Sequence, residues 1–168
     1  MAASVRIPIT RAGATQLKNE LKRLKSVERP KVIDALTEAR GHGDFSENAD
    51  LDAAKQHQSF IEGRIADIED KLSRAETVDV SKLSGDKILF GATVTVADED
   101  GNEVVYHIVG DIEADIKKSR ISISSPIARA LLGREQGETV TVKGPKGNER
   151  EYEIRAVAYV EEAVAEEP

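Results

Sequence analysis

The chain has 168 residues, 33% charged and 39% hydrophobic, with a net charge of −7, room enough for one ordinary domain or two small ones. It has no Cys, no Trp and only 4% aromatic residues, which excludes disulfides, Cys-ligated metal centres and an aromatic platform for stacking bases. The opening MAASVRIPIT lacks the apolar core of a signal peptide, and no run approaches the roughly 18–20 apolar residues of a membrane span, so a cytoplasmic protein with no membrane partner is expected.

In chain order, residues 10–40 read as a helix with Thr10 as its N-cap. Leu17, Leu21 and Leu24 keep a three-four spacing, and then the apolar positions shift to Val32, Leu36 and Ala39. Pro30 lies in that shift, and a kink or two helical pieces is expected there. Gly41-His42-Gly43 ends the helix, and a second begins near residues 46–48. Leu51, Ala54, Gln58, Ile61, Ile65, Ile68, Leu72 and Ala75 then alternate steps of three and four, the 3.5-residue period of a coiled-coil seam. Two such helices joined by a few residues make an antiparallel hairpin. About 30 residues per arm at 1.5 Å each would span roughly 45 Å.

Residues 77–86 read as a linker, after which the pattern changes to strands. Residues 88–96, 104–109, 120–123, 138–142 and 151–160 are enriched in β-branched side chains. Asp100-Gly101 and Gly144-Pro145-Lys146-Gly147 mark hairpin turns. One short helix is expected at residues 125–132, with Ser125 as N-cap, Pro126 at its first position and Gly133 beyond its end. The fold class is therefore α+β. A helical hairpin at 1–76 and the linker precede a small antiparallel sheet domain at 87–160 and an acidic, disordered tail at 161–168.

Charge is uneven along the chain. Residues 1–43 hold nine basic and four acidic side chains, and residues 44–76 hold four and nine. A free nucleic-acid binder is usually basic overall, so any contact with nucleic acid is local and depends on a partner for the main binding surface. No phosphate loop, nucleophile elbow or His pair at metal spacing occurs, and His42, His57 and His107 are scattered. The exception is the junction between the two helices, where Asp44, Glu47 and Asp50 cluster. One reading is helix capping by Asp44 or Ser46, with acids favouring the first turn. The other is that Asp44 and Glu47 share a face and hold a divalent cation, with the remaining ligands from a partner, since Mg²⁺ demands six oxygens. Phe45 suggests insertion or a local staple. Arg40 and Lys55 lie within a turn or two of the acids and are candidates for phosphate contact, whereas the cations farther down the first helix fit a solvated face.

Five blocks in order carry a resemblance. They are Arg40-Gly41-His42-Gly43-Asp44 followed by Glu47-Asn48-Ala49; Glu62-Gly63-Arg64-Ile65; Phe90-Gly91-Ala92-Thr93-Val94; Ile108-Val109-Gly110 with Glu113-Ala114-Asp115; and Ser125-Pro126-Ile127-Ala128-Arg129-Ala130-Leu131-Leu132-Gly133. On these blocks the chain resembles the GreA family of bacterial transcription elongation factors over nearly its full length. The resemblance favours the metal reading of Asp44 and Glu47. It implies an N-terminal coiled coil and a C-terminal domain of the FKBP-like fold that docks at the rim of the RNA polymerase secondary channel while the hairpin enters it. Asp44 and Glu47 would then help bind the second Mg²⁺ of the polymerase active site, with no metal held stably by the chain alone.

On this reading the polymerase is the enzyme, and the chain, acting as a monomer, stimulates cleavage of the nascent RNA 3′ end in backtracked complexes. Arg40, Phe45, Asn48, Asp50 and Lys55 would position RNA or polymerase. Ser124, Ser125, Pro126, Ile127 and Arg129 would dock. The chain departs from the family at Leu51, often Tyr, and at Lys55, often Arg; Lys keeps the charge but loses the bidentate fork. Three rivals remain: a secondary-channel inhibitor on the same scaffold, a prolyl isomerase, which needs an aromatic-lined pocket, and a coiled-coil adaptor.

Overall fold

The computed structural model describes residues 6–41, 48–162 and 164–167. It divides into two compact units, one of Met1–Ala14 with Ala75–Val164 and one of Thr15–Arg74 with Ala165–Pro168.

The helical unit is built on α1 (Arg11–Arg23), α2 (Arg29–Gly41) and α3 (Asn48–Arg74). The seam of α3 follows the sequence period. Leu51, Ala54, Gln58 and Leu72 are half-buried, Ile61, Ile65 and Ile68 are buried, and the positions between are largely exposed. Val32, Ile61 and Ile65 form a buried cluster with Leu21 and Leu24 packed on it.

The expected break at Pro30 takes a specific form. Leu24–Glu28 is a π-helical turn in which the Arg29 N–H reaches back five residues to the Leu24 carbonyl. Eight residues, not seven, separate the seam positions Leu24 and Val32. The wider turn absorbs the extra residue, so Val32, Leu36 and Ala39 return to the buried side. It also lies immediately before Pro30, whose ring would crowd a carbonyl of the preceding α-turn. Ion pairs flank the seam: Arg29 makes two bonds to Glu62 (2.7 and 2.8 Å) and Arg64 two to Glu20 (2.7 and 2.9 Å), while Lys25 lies 2.5 Å from Glu69.

The other unit holds a five-stranded sheet of order β5-β4-β3-β7-β6, made of β3 (Thr93–Ala97), β4 (Glu103–Val109), β5 (Arg120–Ser122), β6 (Thr139–Lys143) and β7 (Glu149–Ala158). The sheet is antiparallel except at one edge: β5 runs parallel to β4, because the chain crosses through residues 110–119 instead of turning back in a hairpin. The short helix α4 (Pro126–Leu131) lies where expected, with the Ser125 hydroxyl accepting from the Ala128 N–H at 3.3 Å and Pro126 at its start. Ala128 and Leu131 of α4 pack with Val94, Val96, Ile108, Ile121, Val140 and Ile154 of the sheet in one buried core. The strand reading at 88–96 was too long at its start: Ile88 is a buried core residue outside the ladder, and Gly91, at φ +86, turns the chain into β3.

Two expected boundaries move. Residues 77–86 are not a plain linker. Strand β2 (Ala75–Val78) pairs in parallel with β1 (Ile7–Thr10), and the 3₁₀ turn Val80–Lys82 buries Val80. The N-terminal segment to Ala14 accordingly groups with the sheet and not with the hairpin. Thr10 does cap α1, accepting the Gly13 N–H at 3.0 Å. Its own N–H donates to Glu113 Oε2 at 2.8 Å and its hydroxyl to Glu113 Oε1. Nearby, Gly110 lets β1 approach: a Cβ there would stand 2.2 Å from the Pro8 carbonyl oxygen.

The acidic tail, expected to be disordered, makes specific contacts in its described part. Glu161 pairs with Arg11 at 3.2 Å and Glu162 with Arg120. The buried Asn19 side chain donates to the Ala165 carbonyl (2.9 Å) and accepts from the Glu167 N–H (3.0 Å), and Lys22 donates to the Glu167 carbonyl (2.9 Å). A buried amide needs both halves satisfied, and backbone at 165–167 satisfies them.

Candidate functional site

Of the residues singled out between the two helices, Asp44, Phe45 and Glu47 lie outside the described residues. Their immediate neighbours are described. Arg40 stands in the last turn of α2 and is exposed. Asn48 opens α3, Asp50 lies in its first turn and is exposed, and Lys55 is exposed one turn further on.

The stem supplies a contrast. Lys25, Arg29, Arg64, Lys71 and Arg74 all sit in ion pairs. The Arg29 guanidinium, by hydrogen bonding, holds the Glu62 carboxyl below its usual range, and Lys71 does the same for Asp67. Among the described residues no ion pair holds Arg40, Asp50 or Lys55. Among the described residues Lys18 and Arg23 are likewise exposed and in no ion pair, so exposure does not single out a site; nearness in sequence to Asp44 and Glu47 does.

A positional prediction follows for these two cations. Arg40→Ala and Lys55→Ala should fold as the parent does, because both side chains are exposed and neither is in an ion pair among the described residues. If each meets a phosphate, the double variant should lose part of any RNA-directed activity. The loss should shrink as salt rises, because counterion release weakens such contacts in the parent too. Equal activity of parent and double variant from low to high salt would remove both residues from the site.

The second region is the segment before and within α4. Ser124, Pro126 and Arg129 are exposed, whereas Ser125 and Ile127 are half-buried. The Ser125 oxygen is committed to capping α4. Ile127 packs against the sheet core and lines a cavity of about 580 Å³ at the start of α4. Ile116, Ile121, Pro126, Val142 and Tyr152 line the same cavity, a largely apolar wall. Tyr152 is the one aromatic residue among the lining residues, which argues against the aromatic-lined pocket of a prolyl isomerase.

Sequence reasoning missed Asp111, which the structure places beside this segment. Its Oδ1 accepts from the Ser122 hydroxyl and from the Ser124 hydroxyl at 2.8 Å, and Ser124 N–H donates to Ser122 Oγ at 3.1 Å. Those hydroxyl bonds, with Arg129 a weaker contributor, hold the Asp111 carboxyl below the ordinary aspartate range. The serine spacing was a usable signal, because residues two apart leave a strand on the same side. No sequence feature pointed to Asp111.

Comparison with known proteins identifies relatives for both regions. A family model described as "Transcription elongation factor, N-terminal" matches residues 7–77, and one described as "Transcription elongation factor, GreA/GreB, C-term" matches residues 83–159. The chain is 56% identical over 163 residues to "Transcription elongation factor GreA" of Anaeromyxobacter sp. (strain K), covering 96% of this chain and 98% of that one. It is 58% identical over 155 residues to the protein of the same description from Thioalkalivibrio sulfidiphilus (strain HL-EbGR7), covering 91% and 98%. Among solved structures, GreA factor homolog 1 of Thermus thermophilus is 31% identical, over 91% of this chain and 99% of that one, with a TM-score of 0.43.

Proposed function

Since this chain belongs to the GreA/GreB family of transcription elongation factors, we propose that it reaches the RNA polymerase active site through the secondary channel and there stimulates cleavage of the 3′ end of backtracked RNA. The supporting observation is the conjunction of the packed helices α2 and α3 with two carboxylates, Asp44 and Glu47, in the stretch of sequence between them. The sheet unit supplies the docking segment at Ser124, Ser125, Pro126, Ile127 and Arg129.

The division of labour follows from ligand chemistry. Two carboxylates cannot fill the six-oxygen shell of Mg²⁺. The donor set fits a shared ion and not a resident one. Asp44 and Glu47 would hold it on one side, with the polymerase supplying the other ligands. With an ion held there, the site would supply a lowered pKa for an attacking water and charge stabilisation for the attacking and leaving oxygens of the phosphodiester. Arg40 and Lys55, both exposed and without an ion pair among the described residues, would bind RNA phosphate or polymerase and position the two acids. The chain itself is not a nuclease, and the catalytic centre is the polymerase's.

The test is direct. Backtracked elongation complexes with labelled RNA, given the full chain and Mg²⁺, should release short 3′ fragments and resume elongation when nucleotides are added. Binding to polymerase without fragment release would replace this reading with that of a secondary-channel inhibitor. No binding would leave the hairpin as a coiled-coil adaptor.

A further inference from the structure

We infer that Asp111 is a positioning residue for polymerase docking: by bonding the hydroxyls of Ser122 and Ser124 it fixes the segment that leads into Pro126 at the head of α4. The inference rests on the reading that this segment is what docks.

Strand β5 ends at Ser122 and α4 begins at Pro126, so residues 123–125 have no ladder of their own. The connections in this stretch run to the end of β4, to Asp111 just beyond it, and back to Ser122. The Ile123 N–H donates to the Val109 carbonyl at 2.8 Å, and the Ser125 N–H to the Ser122 carbonyl at 2.9 Å. The Ser124 N–H donates to Ser122 Oγ, while the Ser122 and Ser124 hydroxyls, themselves 2.8 Å apart, both aim at Asp111 Oδ1. One carboxylate oxygen thus orients two hydroxyls and, through Ser122, one backbone amide. Asp111 is exposed, and so are Ser124 and Pro126. A core role does not explain an exposed carboxylate whose side-chain hydrogen bonds, among the described residues, go to one loop. Holding the loop in one conformation before binding removes an ordering cost from association, so the energy of this network would appear as affinity. Bonds to an ionised acceptor are the stronger kind, which suits Asp over a hydroxyl or amide at this place.

The experiment measures cleavage of backtracked complexes against the concentration of the full chain, giving a half-saturating concentration and a saturating rate. Asp111→Ala should raise the half-saturating concentration by about tenfold while leaving the saturating rate at the parental value. Asp111→Asn keeps an oxygen that can accept from both serines and should lie within about threefold of the parent. Ser122→Ala, which removes the residue joining the amide to the carboxylate, should behave like Asp111→Ala and guards against a folding failure at position 111. A loop variant, Pro126→Gly with Ile127→Ser, tests docking itself.

If the loop variant raises the half-saturating concentration but Asp111→Ala and Ser122→Ala do not, the positioning inference is overturned and the docking reading stands. If the loop variant also has no effect, the docking reading fails and the inference fails with it. Equal losses in Asp111→Ala and Asp111→Asn would make the charge itself a contact, and a lowered saturating rate would place Asp111 in cleavage; either overturns the inference.

Discussion

Asp44→Asn and Glu47→Gln, made separately, should melt at the parental temperature and lose cleavage stimulation by about a hundredfold. The two readings of the turn diverge sharply here. Asn caps a helix about as well as Asp, and Gln can complete a capping box, so if the acids only end and start helices both variants remain active. If they ligate Mg²⁺, the neutral amide is a poor replacement for a hard anionic oxygen. Loss of even an outer-shell partner of a metal costs about ten- to a hundredfold, and a direct ligand should sit at or above the top of that range. The half-saturating concentration should hardly move if, as proposed, docking is carried by residues 124–129 of the sheet unit. Raising Mg²⁺ should recover part of the rate by mass action on the weakened ion site. Parental rates in both variants across the titration would end the two-carboxylate mechanism.

Gly110→Ala should destabilise the protein by about 1–3 kcal/mol through overpacking. The position is buried, and the added methyl would stand 2.2 Å from the Pro8 carbonyl oxygen and 3.3 Å from Glu113 Oε2. A long side chain could swing away, but a backbone carbonyl in the β1–β2 ladder cannot. The strain therefore falls on the pairing of Ile7–Thr10 with Ala75–Val78 and on the Glu113 bonds to Thr10. Gly63→Ala is the control: it lies in α3 with nothing within 4 Å of the new methyl, and removing a helix glycine should stabilise by about 0.4–1 kcal/mol. Thermal or urea unfolding of the two variants checks both signs. A Gly110→Ala protein as stable as the parent would mean that β1 can be released without cost.

The hairpin was legible because its signal is periodic. Ile61, Ile65 and Ile68 repeat on one face of a long helix, and the burial of those positions follows from the repeat alone. The cap at Ser125 and the proline after it were legible for the same local reason. What escaped was non-local. Residues 7–10 are too short to announce a strand, and their partner lies almost seventy residues on, at Ala75–Val78. The parallel placement of β5 beside β4 depends on the crossing at 110–119, which no pattern in Arg120–Ser122 encodes. The tail reads as four scattered glutamates with small residues, yet its hold on Asn19 is made by main-chain atoms, which every sequence shares. At the candidate site, Asp44 and Glu47 are candidates from clustering and resemblance alone and lie outside the described residues, whereas Asp111 needed coordinates, since a lone acid after a glycine is ordinary until two hydroxyls point at it.

The wide turn at Leu24–Glu28 has a consequence for aim. A helix fixes angle as well as length, and one residue is worth about 100° around the axis. The extra residue between Leu24 and Val32 is taken up within that turn, so the apolar face beyond it keeps its bearing and Arg40 keeps its exposed place on the flank of the seam. Were the segment one residue shorter, either Val32, Leu36 and Ala39 would leave α3 or the end of α2 would present a different side chain where Arg40 now stands. The bearing of the exposed side chains of α2 is thus set in the stem, in the turn before Pro30.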